Sequence, residues 1–391
     1  MAYQAEILLS ESFATISGRR PPVEAVSNFL GGYVPEGNHR EAMATKRRID
    51  KDDLFALLRE FGGSIAGAVT LRQSDEPKTH WPDYELLDDL ALSVRLRQAL
   101  DDSDQATADD SRSTLPGYQP KVLVAQADGQ WAYPHGRAHS THILKPQVPT
   151  RPSRIFDEHY SHLLTQRIGL SDYANEIRRA ESMTYLAIER FDRTVVSGHV
   201  HLHHQEDLAQ ALSLDWRDTD TNFQEPDWPG DPRRATIRRI AEMLGSIPGG
   251  DSAVEKWLRH LTFHVAIANH GAHAKNVALM HLSTGTELAQ VYDALPNLFQ
   301  AGLVKWDLAL AVNGTFDHRK LSVESIFAEA NSWSVIAATR ASALVSKTLV
   351  ALAGAVTDIT PPAGVSEHMV EHLQWNVRRL LAGQMIGEPK L

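Results

Sequence analysis

The sequence contains no cysteine. That absence excludes disulfides, thiolate nucleophiles and cysteine-ligated zinc, and it fits a reducing, cytoplasmic setting. Long apolar runs are missing as well: nowhere do about 18 uncharged apolar residues follow one another, the length a spanning helix needs. Residues 1–10 have neither a basic start nor an apolar core of secretory kind. Secretion and membrane spanning are therefore not expected. Positive charge is in short supply, with 39 Lys and Arg against 49 Asp and Glu and a net charge of -10. A free-standing nucleic-acid binder needs clustered cations to neutralise phosphates. Local basic stretches at 46–48 and 233–239 read as solvated helix faces.

What is present is enough for two cores. The chain has 391 residues, 42% of them hydrophobic, which fits an ordinary two-lobed globular protein. Residues 1–100 form a first subdomain, with helices expected at 23–30, 38–48 and 52–61, a strand at 65–71 and an amphipathic helix over 83–100. Residues 101–112 are acidic and Ser-rich, and read as a linker. In 113–203, strands at 121–125, 131–133, 141–145, 184–191 and 195–203 accompany helices at 158–168 and 172–178. Helix dominates 204–391, at 207–214, 233–244, 254–268, 323–330, 333–352 and 367–381, interrupted by a hairpin of 277–281 with 287–292. The expected class is α+β: a mixed N-terminal lobe followed by a mostly helical C-terminal lobe.

The stretch N-H-G-A-H-A-K-N, residues 269–276, carries the chemistry. Protein kinases place an Asp base five residues before an Asn that holds magnesium. Here the Asn is Asn276, and five residues earlier stands Gly271, which has no side chain to accept a proton. Asp293 follows the second strand of the hairpin in V-Y-D-A, so Asn276 and Asp293 are expected at neighbouring ends of an antiparallel pair. Magnesium prefers oxygen ligands and takes one or two carboxylates plus phosphate oxygens, so one amide and one Asp suffice. A capping Asn and a turn Asp are the plain alternative. Upstream, L-P-G-Y-Q-P-K offers a small-residue turn and Lys121 to phosphate oxygens. T-H-I-L-K-P puts Lys145 at the end of an apolar strand, where an ammonium is costly unless an anion meets it.

Taken in order, V-S-N-F-L-G-G-Y-V-P-E-G-N, F-G-G-S-I-A-G-A-V-T-L, L-P-G-Y-Q-P-K, T-H-I-L-K-P, A-I-E-R-F-D-R, H-Q-E-D-L-A-Q-A-L, H-A-K-N and V-Y-D-A resemble the HipA toxin kinases, serine/threonine kinases of toxin and antitoxin pairs. The resemblance covers most of the chain and implies a bilobal, protein-kinase-like HipA fold. It implies a glycine loop over ATP phosphates, with Pro116, Gly117, Tyr118, Gln119 and Lys121, and an autophosphorylated hydroxyl at Thr114 or the neighbouring Ser113. Lys145 would pair with ATP phosphates, Glu189, Arg190 and Phe191 would form the hinge, His273 and Lys275 would line the site, and Asn276 with Asp293 would hold Mg2+. The family's catalytic Asp falls at Gly271. The implied partners are a HipB-like DNA-binding antitoxin, through which alone DNA would be met, and a protein substrate such as an aminoacyl-tRNA synthetase. The chain also starts partway through the family's N-terminal region, so a small partner protein completing that sheet is a further expectation.

Two readings follow. One is a HipA-type kinase, impaired by the loss of its base; the other is a pseudokinase or inactivated toxin that binds nucleotide and antitoxin. Asp192 and Asp207 are candidate substitute bases, against structural roles in ion pairs and helix capping. A third reading takes His199, His201 and His203 as one strand face for zinc, although residues spaced by two lie about 7 Å apart in a row and chelate poorly.

Overall fold

The structure, a computed structural model, describes residues 9–13, 20–62, 65–71, 83–105, 119–127, 129–136, 138–296 and 306–389. Contacts divide the chain into two compact units, one of residues 1–150, 173–206 and 215–219, the other of 151–172, 207–214 and 220–391.

The first unit opens with α1 (Val23–Gly31), α2 (Gly37–Arg47) and α3 (Leu54–Phe61). Asp53 starts α3 by accepting the Ala56 N–H at 3.0 Å. These helices enclose a core of Phe13, Phe29, Tyr33, Leu57, Ile65 and Trp216. Phe29 meets Phe13 and Tyr33 edge-to-face, with centroids 5.6 and 5.3 Å apart. A methyl group added at Gly31 would lie 2.0 Å from the Trp216 ring, so only glycine fits there.

Next come β1 (Asp83–Leu87), α4 (Asp89–Gln105), β2 (Val122–Ala127), β3 (Gln130–His135), β4 (His142–Pro146), β5 (Asn175–Ala180) and β6 (Met183–Glu189). They form an antiparallel sheet in the order β1-β3-β2-β4-β6-β5. One face packs on α4 through Leu92, Leu96, Val122, Val124, Leu144, Tyr185 and Ala187. Because side chains alternate between faces, Ile143, Lys145, Leu186 and Ile188 share the opposite face, Lys145 registering with Leu186 and Ile143 with Ile188. The unit also holds the hairpin of β7 (Arg193–Val196) and β8 (His199–Leu202), followed by β9 (His204–Asp207).

The second unit contains α5 (Arg154–Arg167), α6 (Leu208–Ala211), α7 (Ile237–Ser246), α8 (Gly250–Ala266), β10 (Ala278–Leu282), β11 (Gly285–Leu288), β12 (Asp307–Val312), β13 (Thr315–Asp317), α9 (Val323–Ser332), α10 (Ala338–Asp358) and α11 (Met369–Leu381). Its core joins Trp257, Phe263, Trp333, Val345, Leu349 and Leu373. α10 is the one described helix long and apolar enough to cross a membrane, and its buried face, Leu344 to Val356, packs in this core.

Several expected elements differ. Residues 65–71 form no strand; Ile65 and Gly67 lend their carbonyls to buried arginines instead of a ladder. Residues 83–87 are an edge strand before α4, and Asp101–Gln105 continue that helix, while 106–112 lie outside the described residues. The helix expected at 172–178 is β5, whose paired partner β6 overrides its local preference. The strand expected over 195–203 is broken by Ser197 and Gly198, both at positive φ in a two-residue hairpin turn. The β12–β13 hairpin went unread in the sequence.

α8 buries two histidines, His260 and His264, and His318 is fully buried near its end. Burial lowers all three, His264 and His318 to about 4. They stay neutral in the fold, whereas the unfolded chain protonates its histidines below about pH 6.5. Stability therefore falls as pH drops through the window from about 6.5 to about 4. At pH 5 each of His264 and His318 should cost about 2 kcal/mol relative to pH 7. Urea unfolding at the two pH values checks this, and His318→Gln, which keeps a donor for the Val265 carbonyl, should flatten the dependence by about one proton.

Candidate active site

In the second unit the candidate loop begins where α8 ends. Ala268 takes a left-handed φ of 57°, its N–H donates to the Val265 carbonyl at 3.2 Å, and the Asn269 N–H reaches back to the His264 carbonyl at 2.9 Å. This is a Schellman closure with alanine where glycine is usual, strained by roughly 1 kcal/mol. It delivers Asn269, which is buried, directly above His264.

The loop is closed by side chains. Asn269 Oδ1 accepts the Gly271 N–H at 3.0 Å, and the Asn276 Nδ2 donates to the Gly271 carbonyl at 2.8 Å. The His273 N–H donates to the same carbonyl at 2.9 Å, and His273 Nδ1 accepts the Lys275 N–H at 3.3 Å. Gly271 is thus fixed at both of its backbone groups. Gly271 is not among the glycines with a left-handed φ. The ring of Phe223 lies 4.8 Å from that of His273, and His270 packs beside His318 at 6.0 Å. Lys275 is buried.

The β10–β11 hairpin brings Asp293 back to this loop. Pairing continues past β11, with the Ala289 N–H on the Ala278 carbonyl, and the Tyr292 hydroxyl donates to the Lys275 carbonyl at 3.0 Å. Asn276 and Asp293 therefore stand at neighbouring ends of the extended hairpin, as the spacing suggested. Asp293 has a φ of 50°, a strained value for a residue other than glycine. With its amide nitrogen held by the Gly271 carbonyl, Asn276 presents its oxygen. An amide oxygen and a carboxylate form a donor set that suits magnesium. Among the described residues no group of three His, Asp or Glu is placed for a metal, so zinc-type chelation has no candidate.

The first unit holds the other expected residues. Lys145 is buried on β4, on the apolar sheet face opposite α4. Both amide atoms of Gln119 are buried without a hydrogen-bond partner among the described residues, and Lys121 is half-buried just before β2. Ser113, Thr114, Pro116, Gly117 and Tyr118 lie outside the described residues. Of the hinge residues, Glu189 and Arg190 already donate their N–H groups to the carbonyls of Ala174 and Thr141, and Phe191 packs on Tyr173 with centroids 5.8 Å apart. The Arg190 side chain is committed to a buried network: it grips Asp192 with two hydrogen bonds of 3.0 and 2.8 Å and donates to Ser140 and the Ile65 carbonyl.

That network removes Asp192 as a substitute base. Burial works against its charge, but Arg190, Arg193 and the Gly67 N–H at 2.8 Å hold it below the usual carboxylate range. Burial, with Arg190 nearby, lowers Arg193 to about 9. Asp207 is a helix cap: it accepts the Gln210 N–H at 2.8 Å and donates its own N–H to Gln210 Oε1 at 2.9 Å. His203 follows β8 and bonds Thr194 at 2.7 Å, and among the described residues His199, His201 and His203 form no group placed to hold a metal.

Sequence reasoning missed Asn269, His264 and Tyr292. Asn269 left a readable signal, being an Asn two residues before a Gly, a pattern that favours a side-chain turn.

A family model for the HipA-like C-terminal domain matches residues 113–356, and one for the HipA N-terminal domain matches residues 2–72. The chain belongs to the HipA family. It is 31% identical over 274 residues to "Putative kinase Y4mE" of Sinorhizobium fredii, covering 68% of this chain and 63% of that protein. It is 23% identical over 304 residues to the serine/threonine-protein kinase toxin HipA of Shewanella oneidensis, covering 75% and 67%. The chain thus spans about two thirds of the length of these relatives. The HipA structure in the Shewanella oneidensis complex of HipA, HipB and operator DNA superposes with a TM-score of 0.78 at 19% identity, over 96% of this chain and 88% of that one. The α+β HipA fold is shared.

Asp192→Ala would strand two buried guanidinium groups. A loss of about 3–5 kcal/mol in unfolding free energy is expected, read as a shift of the urea midpoint; a near-neutral result would mean that the network is not needed for folding.

Proposed function

We propose that this HipA-family chain binds Mg-ATP and is built to pass the γ-phosphoryl group to a serine or threonine of a protein target, with turnover impaired because Gly271 stands in place of the base. The observation that supports this reading is the second unit's loop, in which Asn276 is tied to the Gly271 carbonyl and Tyr292, next to Asp293, bonds the Lys275 carbonyl.

Lys145, buried on the sheet face opposite α4, would meet phosphate charge, with Gln119 and Lys121 as further phosphate contacts. Asn276 and Asp293 would hold magnesium. When bound, the metal would neutralise phosphate oxygens. In the transfer, the substrate hydroxyl oxygen forms a bond to the γ-phosphorus as the bond to the leaving ADP oxygen breaks. The hydroxyl proton must go to a base, and residue 271 offers none. General base catalysis contributes about 10²-fold to 10⁴-fold, whereas binding and positioning use groups that this chain retains. The pseudokinase reading, a nucleotide- and antitoxin-binding protein, has the same site with no turnover. A HipB-like antitoxin as partner draws support from the solved HipA and HipB complex. An aminoacyl-tRNA synthetase as target, the Ser113 or Thr114 hydroxyl as autophosphorylation site and a cytoplasmic location are what the family resemblance suggests.

Calorimetry with ATP and magnesium should show binding that Lys145→Ala and Asp293→Ala abolish or weaken at least tenfold. Gly271→Asp should raise phosphoryl transfer by about 10²-fold or more over the chain as it stands. If both forms bind ATP and neither transfers phosphate, the kinase reading fails and the binding role remains.

A further inference from the structure

The side chain that the loop depends on is not one of the expected site residues. Asn269 is buried, and its amide is used at both ends: Oδ1 accepts the Gly271 N–H at 3.0 Å, and Nδ2 lies 3.0 Å from His264 Nδ1. A backbone N–H can only donate, so the Asn269 oxygen faces Gly271 and its NH₂ faces the imidazole. His264 Nδ1 must then accept, which places the ring proton on Nε2. Burial keeps this imidazole neutral and able to accept. The Gly271 carbonyl, on the other side of the same residue, receives the Asn276 amide at 2.8 Å. The chain of contacts therefore runs His264, Asn269, Gly271, Asn276.

We propose that Asn269, braced by His264, is a positioning residue that holds residue 271 and, through its carbonyl, orients Asn276 for magnesium. This deepens the proposed function and rests on it for the magnesium step. Only an amide or a carboxylic acid side chain reaches both the N–H of residue i+2 and the imidazole one turn back in α8. Asn269→Ala takes the Asn269 partner from the Gly271 N–H and from His264 Nδ1, leaving the Gly271 peptide, whose carbonyl anchors Asn276, held only on its carbonyl side by Asn276 and the His273 N–H. Asn269→Asp keeps the acceptor for the Gly271 N–H, and His264 can move its proton to Nδ1 to donate to the new carboxylate.

Two measurements test the proposal. In calorimetric titrations of ATP with and without magnesium, Asn269→Ala should weaken the magnesium-dependent gain in affinity about tenfold or more, the usual loss when a supporting residue behind a metal ligand is removed, with the magnesium-free affinity unchanged. Asn269→Asp should restore most of the gain. Equal loss with and without magnesium, or an unchanged gain, overturns the proposal. In the ligand-free protein, hydrogen exchange over residues 269–276 should quicken at least tenfold in Asn269→Ala while α8 up to Phe263 keeps its protection; unchanged exchange in the loop also overturns it. If the parent chain fails to bind Mg-ATP, the proposed function fails, and the exchange measurement still decides whether Asn269 orders the loop.

Discussion

The way α8 ends governs the rest of the second unit's candidate site. Its last turns are buried on nearly every side, which fixes the helix axis and leaves no room for a different exit. The closure at Ala268 then turns the chain sharply, so that Asn269 lands on the helix's own C-terminal turn and the following residues must pass over His264. Buried histidines in this place are costly whenever they are protonated, and two of the neutral rings make a defined hydrogen bond. His264 receives an amide, and His318 donates to the Val265 carbonyl at 2.7 Å. The helix end, the loop and the hairpin form one connected piece.

The first unit uses a different device. Two arginines and one aspartate, all buried, tie the irregular stretch around Ile65 and Gly67 to the end of β6 and the start of β7. A paired and hydrogen-bonded charge cluster of this kind contributes specificity of conformation more than net stability. It explains how a segment without ladder hydrogen bonds can still be ordered: the arginine side chains take the carbonyls that a neighbouring strand would otherwise satisfy. The Gly67 position follows from this, since a methyl group there would meet the Gln205 backbone at 2.7 Å.

Much of this was readable in the sequence, and the failures have physical causes. The hairpin between the H-A-K-N and V-Y-D-A motifs was legible because hairpins are local. The core helices were legible from their apolar periodicity, with boundaries off by a few residues. Residues 172–178 misled because the polar stretch from Asn175 to Arg179 becomes a strand only through pairing with β6, a tertiary effect. Residues 65–71 misled in the opposite direction, since their apolar character reflects packing in the first core and not a ladder. For Asp192 the residues left a substitute base and an ion pair with Arg190 or Arg193 side by side; the fold decides for the ion pair and adds the Gly67 N–H. Asn269 was overlooked because its role lies in the two residues that it joins, one of them five positions back on a helix.

The two clamps on Gly271 have a consequence for substitution in this loop. They act on the peptide groups and not on a side chain. The loop's shape is held by its peptide groups and does not depend on what residue 271 carries. Exchanging residue 271 therefore need not rebuild the loop around it.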